Sequence, residues 1–303
     1  MAATGLSIFE GREAPTMAER TTLRLGGPVL AEVALTGPEA ADRLPGIASR
    51  LGGRLVSIGA GSNILAGGGP LPLVLVKNAM PPEITVVEEN RDTVTLRAAS
   101  SVKLPVLLGR AASMDLAGLE GLSGIPGSVG GAVAMNAGSF GQSVSDTLTA
   151  LTLVTARGEI RTVPRENICF AYRHMGLPGL ASGAWYMILS ADFVLTRSAT
   201  GVVAAAGKAH MAQKKASQPV GAASAGCVFK NPAPENPAGK LLDEAGFKGK
   251  RLGDMAFSTV HANFLVNEGQ GSSDQALELM EMAKRAVFER SGIILEPEVK
   301  LWL

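Results

Sequence analysis

Residues Gly118–Gly141, GLEGLSGIPGSVGGAVAMNAGSFG, constrain this chain more than any other stretch. Glycines recur at 121, 124, 127, 130, 131 and 138, and Pro126 fixes one φ angle among them. Surface loops are usually polar, whereas this one carries Leu122, Ile125, Val129, Val133 and Met135. The segment is therefore expected to be a buried loop with its backbone pressed close to something. Buried N–H groups need acceptors, and a bound diphosphate is one way to supply them.

A shorter loop, GAGSNIL at Gly59–Leu65, follows an apolar strand-like run. Gly59 and Gly61 permit a sharp turn that exposes successive N–H groups, and Ser62 and Asn63 add side-chain donors. The dinucleotide fingerprint is absent, because Ile64 stands where a third glycine is required. Alone, such a turn is most often an ordinary tight turn. Beside the longer loop it gains meaning as half of a ligand cradle.

The remaining periodicities describe an α+β chain with grouped strands and interspersed helices. A helix is expected at Pro38–Leu51, kinked or split at Pro45, and strands at LPLVLVKN, EITVVEEN and DTVTLRAAS, the last two forming a hairpin across Asn90–Arg91. A short helix follows at LPVLLGRAASM. Further strands are read at LTALTLVTARGEIRTV, turning at Arg157–Gly158, and at WYMILSADFVLTR. A helix ending at Gln218–Pro219 marks the best interdomain boundary. Beyond it come AGKLLDEAG as helix, ANFLVN as strand, and a long helix. That helix opens on Ser272 and Gln275 in capping-box spacing, with Ala276, Met280, Ala283 and Val287 as its apolar stripe. ILEPEVKLWL is expected as the closing strand.

Composition excludes several function classes. The 303 residues carry 28 Lys+Arg against 27 Asp+Glu, a formal charge of +1, so no global field favours nucleic acid or an anionic membrane. Two cysteines and three scattered histidines supply neither a disulfide framework nor a metal site. No signal peptide or membrane span is read, and a cytoplasmic, monomeric protein is expected.

Polar residues fall into three further groups. FAYRHM supplies Tyr172 and Arg173 near a strand end, and arginine is the side chain that clamps a planar carboxylate with two hydrogen bonds. GCVFKNPAPENPAGKLLDEAG supplies Cys227, Lys230, Asn231 and Lys240. If that stretch is extended, Cys227 and Phe229 share one face and Val228 takes the other. EPEVKLWL places Glu296, Glu298 and Lys300 on one face, a pattern also common on ordinary edge strands.

GAGSNIL, followed some 55 residues later by GLSGIPGSVGGAVAMNAG, resembles the two-lobed FAD-binding fold of the vanillyl-alcohol oxidase type. Together with TTLRLGGP (Thr21–Pro28), the Tyr172–Arg173 pair, Gly226–Pro232 and Glu298–Lys300, it resembles the shorter form of the UDP-N-acetylenolpyruvoylglucosamine reductase family. These motifs occur in the family's order over nearly the whole chain. The resemblance implies FAD-binding lobes at 1–78 and 79–200 and an α+β substrate domain at 201–303. It implies non-covalent FAD held by Gly59, Ala60, Gly61, Ser62, Asn63, Ile64 and Leu65. The second loop would contribute Ser123, Gly124, Ile125, Pro126, Gly127, Gly130, Gly131, Ala132, Asn136 and Gly138.

NADPH is the implied co-substrate, and a UDP-sugar enolpyruvyl ether is the implied substrate, contacted by Tyr172, Lys230, Asn231, Lys240 and Lys300. Arg173 and Glu298 are implied to polarise the substrate carboxylate. Cys227 stands where many members have serine and is implied to donate the proton. A free thiol, with a pKa of about 8.5, is mostly protonated at neutral pH, which suits an acid. Three competing readings follow from the same residues: a hydroxy-acid oxidase or dehydrogenase on the FAD scaffold, a cysteine enzyme pairing Cys227 with His261, and a non-catalytic nucleotide-binding module.

Overall fold

The computed structural model describes residues 5–180 and 183–303, which fall into two compact units. The first comprises Met1–Glu13, Leu30–Gly59 and Pro72–Gln213, and the second Ala14–Val29, Ala60–Leu71 and Lys214–Leu303.

The first unit holds two large sheets and two two-stranded ones. In the four-stranded sheet the order is Leu6–Glu10, Val29–Leu35, Leu71–Asn78, Arg54–Ser57, and the last two strands run parallel. Strand Leu71–Asn78 is an unbroken apolar run because both its faces are covered: Leu73, Val74, Leu75 and Val76 are all buried. Pro45 splits the expected helix into a 3-10 turn, Pro38–Arg43, and an α-helix, Leu44–Leu51, with Pro45 in the first helical turn where its missing N–H costs nothing.

The other large sheet has six strands and centres on Tyr186–Arg197, flanked by Leu148–Thr155 and Thr93–Ala99. Arg97 and Asp192 are cross-strand partners in it and form two hydrogen bonds of 2.7 Å each. Ile84–Glu89 pairs with Thr93–Ala99 as the expected hairpin. The core under this sheet takes in Leu122, Val129 and Val133 from the glycine-rich segment, which accounts for its apolar residues.

That segment is not a continuous loop. It contains a 3-10 turn, Glu120–Leu122, and a helix, Val129–Ala134, N-capped by Ser128, whose hydroxyl accepts from Gly131 N–H at 3.3 Å. Its glycines read as loop because glycine disfavours helix interiors. Here close packing requires one of them: a Cβ on Gly130 would stand 2.8 Å from Ser100 Cβ.

The second unit carries an antiparallel sheet in the order Ser224–Cys227, Phe264–Asn267, Met255–Phe257, Arg251–Leu252. Helices Ala238–Glu244 and Ser273–Ser291 belong to the same unit, and Leu241, Leu242, Ala276, Met280, Ala283 and Val287 join its core. The closing segment departs from the expected single strand. Only Lys300–Trp302 is strand, paired in parallel with Ile64–Ala66. Pro297 has no N–H to extend a ladder, so Glu296–Val299 bonds instead to a different stretch of backbone.

The helix Ser273–Ser291 opens on a complete capping box, with Ser272 and Gln275 each bonding the other's backbone N–H. Ser272→Ala is expected to lower stability by about 1 kcal/mol, read as a fall in urea midpoint at unchanged slope.

Candidate active site

Cys227 ends the strand Ser224–Cys227. A β-bulge lies between Ser224 and Cys227, and Gly226 sits at φ +80 with its N–H donating to Ser224 Oγ at 3.1 Å. A bulge re-aims the side chain that follows it, and Cys227 is left half-buried and outside any disulfide. Past Cys227 the alternation expected for an extended strand fails, since Val228 and Phe229 are both buried. The chain has left the sheet there and runs between two other segments. Val228 N–H donates to Asn263 O at 2.8 Å, and Val228 O accepts from Glu298 N–H at 2.7 Å. Lys230 N–H donates to Glu296 O at 2.9 Å.

Asn263 is the residue that sequence reading missed. It is 1% exposed, and its side-chain amide closes on both backbone groups of Phe229, accepting from the N–H at 3.0 Å and donating to the carbonyl at 2.8 Å. No motif announced it. An asparagine two residues after a histidine, at the entry to an apolar strand, carries no local signal until its partner segment is known.

The first glycine loop is wired to the same place. Asn63 Nδ2 donates to Glu298 O at 3.2 Å, and Lys300 N–H donates to Asn63 O at 3.0 Å. Thr22, from the TTLRLGGP motif, donates its hydroxyl to Ser224 O at 2.6 Å and its N–H to Gly61 O at 3.2 Å. Gly61, at φ +65, admits no side chain, because a Cβ would fall 1.9 Å from Arg20 O. Residues 22, 61–63, 224–230 and 296–300 thus form one hydrogen-bonded network within the second unit.

In the first unit, Tyr172 and Arg173 form the two-residue turn of a hairpin, Cys169–Ala171 with His174–Gly176. Arg173 takes φ +55, a left-handed conformation that is costly for a residue bearing a Cβ and gathers at functional sites. Its guanidinium carbon lies 5.1 Å from the centroid of the Tyr172 ring, and Tyr172 is 51% exposed.

The glycine loops meet the demands of a diphosphate-bearing cofactor in part through donors and in part through shape. Among the described residues, the backbone N–H groups of Gly61 and Asn63 in one loop, and of Gly124 and Gly127 in the other, meet no acceptor. Gly124 and Gly127 stand at φ +79 and +115 on either side of the Ile125–Pro126 pair. Gly59 would drive a Cβ to 2.5 Å from Ser128 Oγ. The N–H groups of Gly130 and Gly131 are taken by Ser100 O and Ser128 Oγ, so these two offer close approach rather than donors. These residues fit FAD.

The other expected contact residues are placed as follows. Lys230 Nζ pairs with Glu296 at 3.2 Å, and Lys240 Nζ lies 3.9 Å from Glu244. Asn231 Oδ1 accepts from Ala238 N–H at the start of a helix, and Lys300 is exposed. His261, considered as a partner for Cys227, accepts from Asn263 N–H through Nδ1 at 3.2 Å and packs edge-on against Phe264. No helix among the described residues is long and apolar enough to cross a membrane, and no group of three or more metal-ligating side chains occurs among them.

Comparison with known proteins identifies the family. A family model described as an FAD binding domain matches residues 31–164, which makes the chain a flavoprotein of mixed α+β fold. A second, described as the C-terminal domain of UDP-N-acetylenolpyruvoylglucosamine reductase, matches residues 218–302. Reductases of that name from Nitratidesulfovibrio vulgaris and Oleidesulfovibrio alaskensis are 52% and 48% identical, over 98% and 95% of this chain and 100% and 96% of theirs. The crystal structure of the Thermus caldophilus reductase is similar at a TM-score of 0.80 and 31% identity, covering 98% of this chain and all of that one. The chain belongs to the UDP-N-acetylenolpyruvoylglucosamine reductase family.

Two outcomes follow from the second unit. Asn263→Ala strips both backbone groups of buried Phe229 of their partners and is expected to cost about 2–4 kcal/mol in a denaturant titration. Burial pushes the His261 imidazole below its ordinary value, with the Lys248 charge acting the same way. The unfolded chain then binds a proton that the folded one resists, so stability is full above a pH of about 6.5 and falls as pH drops below it. Urea midpoints taken between pH 8 and 5 should fall less for His261→Gln than for the parent.

Proposed function

We infer that Arg173, Cys227 and Glu298 carry the chemistry of an FAD-dependent, NADPH-consuming reduction of UDP-N-acetylglucosamine enolpyruvate to UDP-N-acetylmuramate, a step in peptidoglycan precursor synthesis. The reaction itself rests on family membership over 98% of the chain. The assignment of residues rests on one observation above the others: the 2.7 Å bond from Glu298 N–H to the carbonyl of Val228, the residue next to Cys227. A hydroxy-acid oxidase on the same scaffold has no comparable support.

FAD, when bound, supplies a two-electron carrier that accepts hydride from NADPH and delivers it to the substrate double bond. The chain's own residues manage the charge and the proton that follow. Hydride addition leaves negative charge spread over the adjacent carbon and carboxylate. The planar guanidinium fork of Arg173 matches a carboxylate, so it stabilises that charge as it develops. Glu298 lies on the same carboxylate only if it holds a proton to donate. Cys227 then gives its thiol proton to the carbon, completing the lactyl ether. General-acid help of this kind is worth about 10²–10⁴-fold.

Tyr172, Lys230, Asn231, Lys240 and Lys300 are assigned to the UDP-sugar. The side chains in the Lys230–Glu296 pair are 36% and 72% exposed, and exchanging such a surface pair for a phosphate contact costs little. Asn231 keeps its amide N–H groups for a ligand while its oxygen caps the helix. FAD contacts are assigned to residues 59–65 and to the second loop as named above, that of Asn136 through its backbone alone because its side chain is engaged at both ends, within lobes at 1–78 and 79–200 and with 201–303 as the substrate domain. The enzyme is assigned to the cytoplasm as a monomer; the compartment is supported by Cys169 and Cys227 lying outside any disulfide.

Purified protein is expected to be yellow, to bleach anaerobically with NADPH and to regain colour with the enolpyruvyl substrate. Cys227→Ala should leave bleaching fast and slow recolouring by about 10²–10⁴-fold, whereas Cys227→Ser should retain much of the rate. Recolouring at the parent rate in Cys227→Ala would remove the thiol from the mechanism.

A further inference from the structure

We propose that Asn136 is a positioning residue for Arg173, rather than a side-chain contact of the cofactor. Asn136 follows directly on the short helix Val129–Ala134 and its cap Met135, and closes that helix in the left-handed conformation, with φ +41 and its N–H donating to Val133 O at 3.0 Å. It is 9% exposed. Its side chain is engaged at both ends. Oδ1 accepts from Ser145 N–H at 3.1 Å, and Nδ2 donates to Ala171 O at 3.2 Å. An N–H faces the oxygen and a carbonyl faces the nitrogen, so the partners themselves fix the amide's orientation.

Ala171 is the last strand residue before the Tyr172–Arg173 turn, paired across the hairpin with His174. The latch therefore acts one residue from the turn. Its other anchor is equally fixed: Ser145 sits in the 3-10 turn Val144–Asp146, where Ser143 and Asp146 form a capping box. The hairpin has only three residues in each strand. A ladder so short is marginal by itself, and Arg173 at its tip is in a conformation that the surroundings must impose.

Asparagine is the side chain that does all of this at once. Glycine would accept the left-handed backbone but supply no amide. Aspartate would keep the acceptor for Ser145 and lose the donor to Ala171. Both substitutions consequently remove the latch while leaving the left-handed backbone accessible. The proposal rests on the reading of Arg173 as the residue that receives the substrate carboxylate.

The test uses the FAD-loaded full chain as Asn136→Asp, Asn136→Gly, Arg173→Ala and the double variant Asn136→Gly/Arg173→Ala. Flavin content, the visible spectrum, bleaching by NADPH and recolouring by the enolpyruvyl substrate are each measured anaerobically. Both Asn136 variants should keep flavin and bleach within about two-fold of the parent, while recolouring slows about 10–100-fold, the scale of a misplacement near 1 Å. The double variant should recolour no slower than Arg173→Ala, since the latch acts only through that side chain. Recolouring at the parent rate in both Asn136 variants, or slowing that adds to that of Arg173→Ala, would overturn the proposal. Loss of flavin from both would return Asn136 to the cofactor and overturn it as well. An Arg173→Ala enzyme as fast as the parent would bring down the reading beneath, and the proposal with it, a result distinct from the other three.

Discussion

The backbone of Val228 sets the geometry on which the proposed chemistry depends. Its N–H is held by Asn263 O and its carbonyl by Glu298 N–H, so the residue before it and the residue across from it have a fixed separation. That separation runs through covalent bonds and one short hydrogen bond, with no flexible side chain in the path. Phe229, fully buried and gripped on both backbone groups by Asn263, prevents the segment from sliding. A proton donor and a carboxyl group that act on the same substrate need such rigidity, because small displacements of reacting groups are costly in rate.

The same network reaches the cofactor loop. Asn63 bonds Glu298 on one side and Lys300 on the other, and Thr22 joins Gly61 to the strand that carries Cys227. Loop residues assigned to the flavin and residues assigned to the substrate are thereby parts of one structure within the second unit. The first unit repeats the arrangement on a smaller scale: Asn136, itself in the glycine-rich segment, ties down the turn that carries Arg173. Among the described residues, five non-glycine positions have positive φ, and Asn136 and Arg173 are two of them. Strain collects where function fixes the backbone.

Much of this was legible in the sequence, for identifiable reasons. Unbroken or alternating apolar runs such as Leu71–Asn78 and Thr93–Ala99 report burial directly, and the Ser272–Gln275 spacing reports a helix start. The close packing of the glycine-rich segment was legible because apolar residues inside such a stretch mark it as buried, with its backbone held against a neighbour. The family motifs then assembled Arg173, Cys227 and Glu298, which no periodicity would have grouped. What escaped was non-local. The helix Val129–Ala134 was hidden by glycines, one of which, Gly130, Ser100 requires; the break in the closing segment by a bond to Val228; and Asn263 by having its partner 34 residues away. Each was decided by a contact between segments distant in sequence, which local pattern does not encode.

Coupling between Cys227 and Glu298 tests the central claim most directly. The rate of flavin recolouring by substrate, measured under single-turnover conditions for Cys227→Ala, Glu298→Gln and the double variant, gives that coupling. If the Val228 backbone holds the two as one catalytic unit, the double variant is slowed about as much as the slower single variant. Slowing equal to the product of the two single effects would show that they act independently, and would contradict the account.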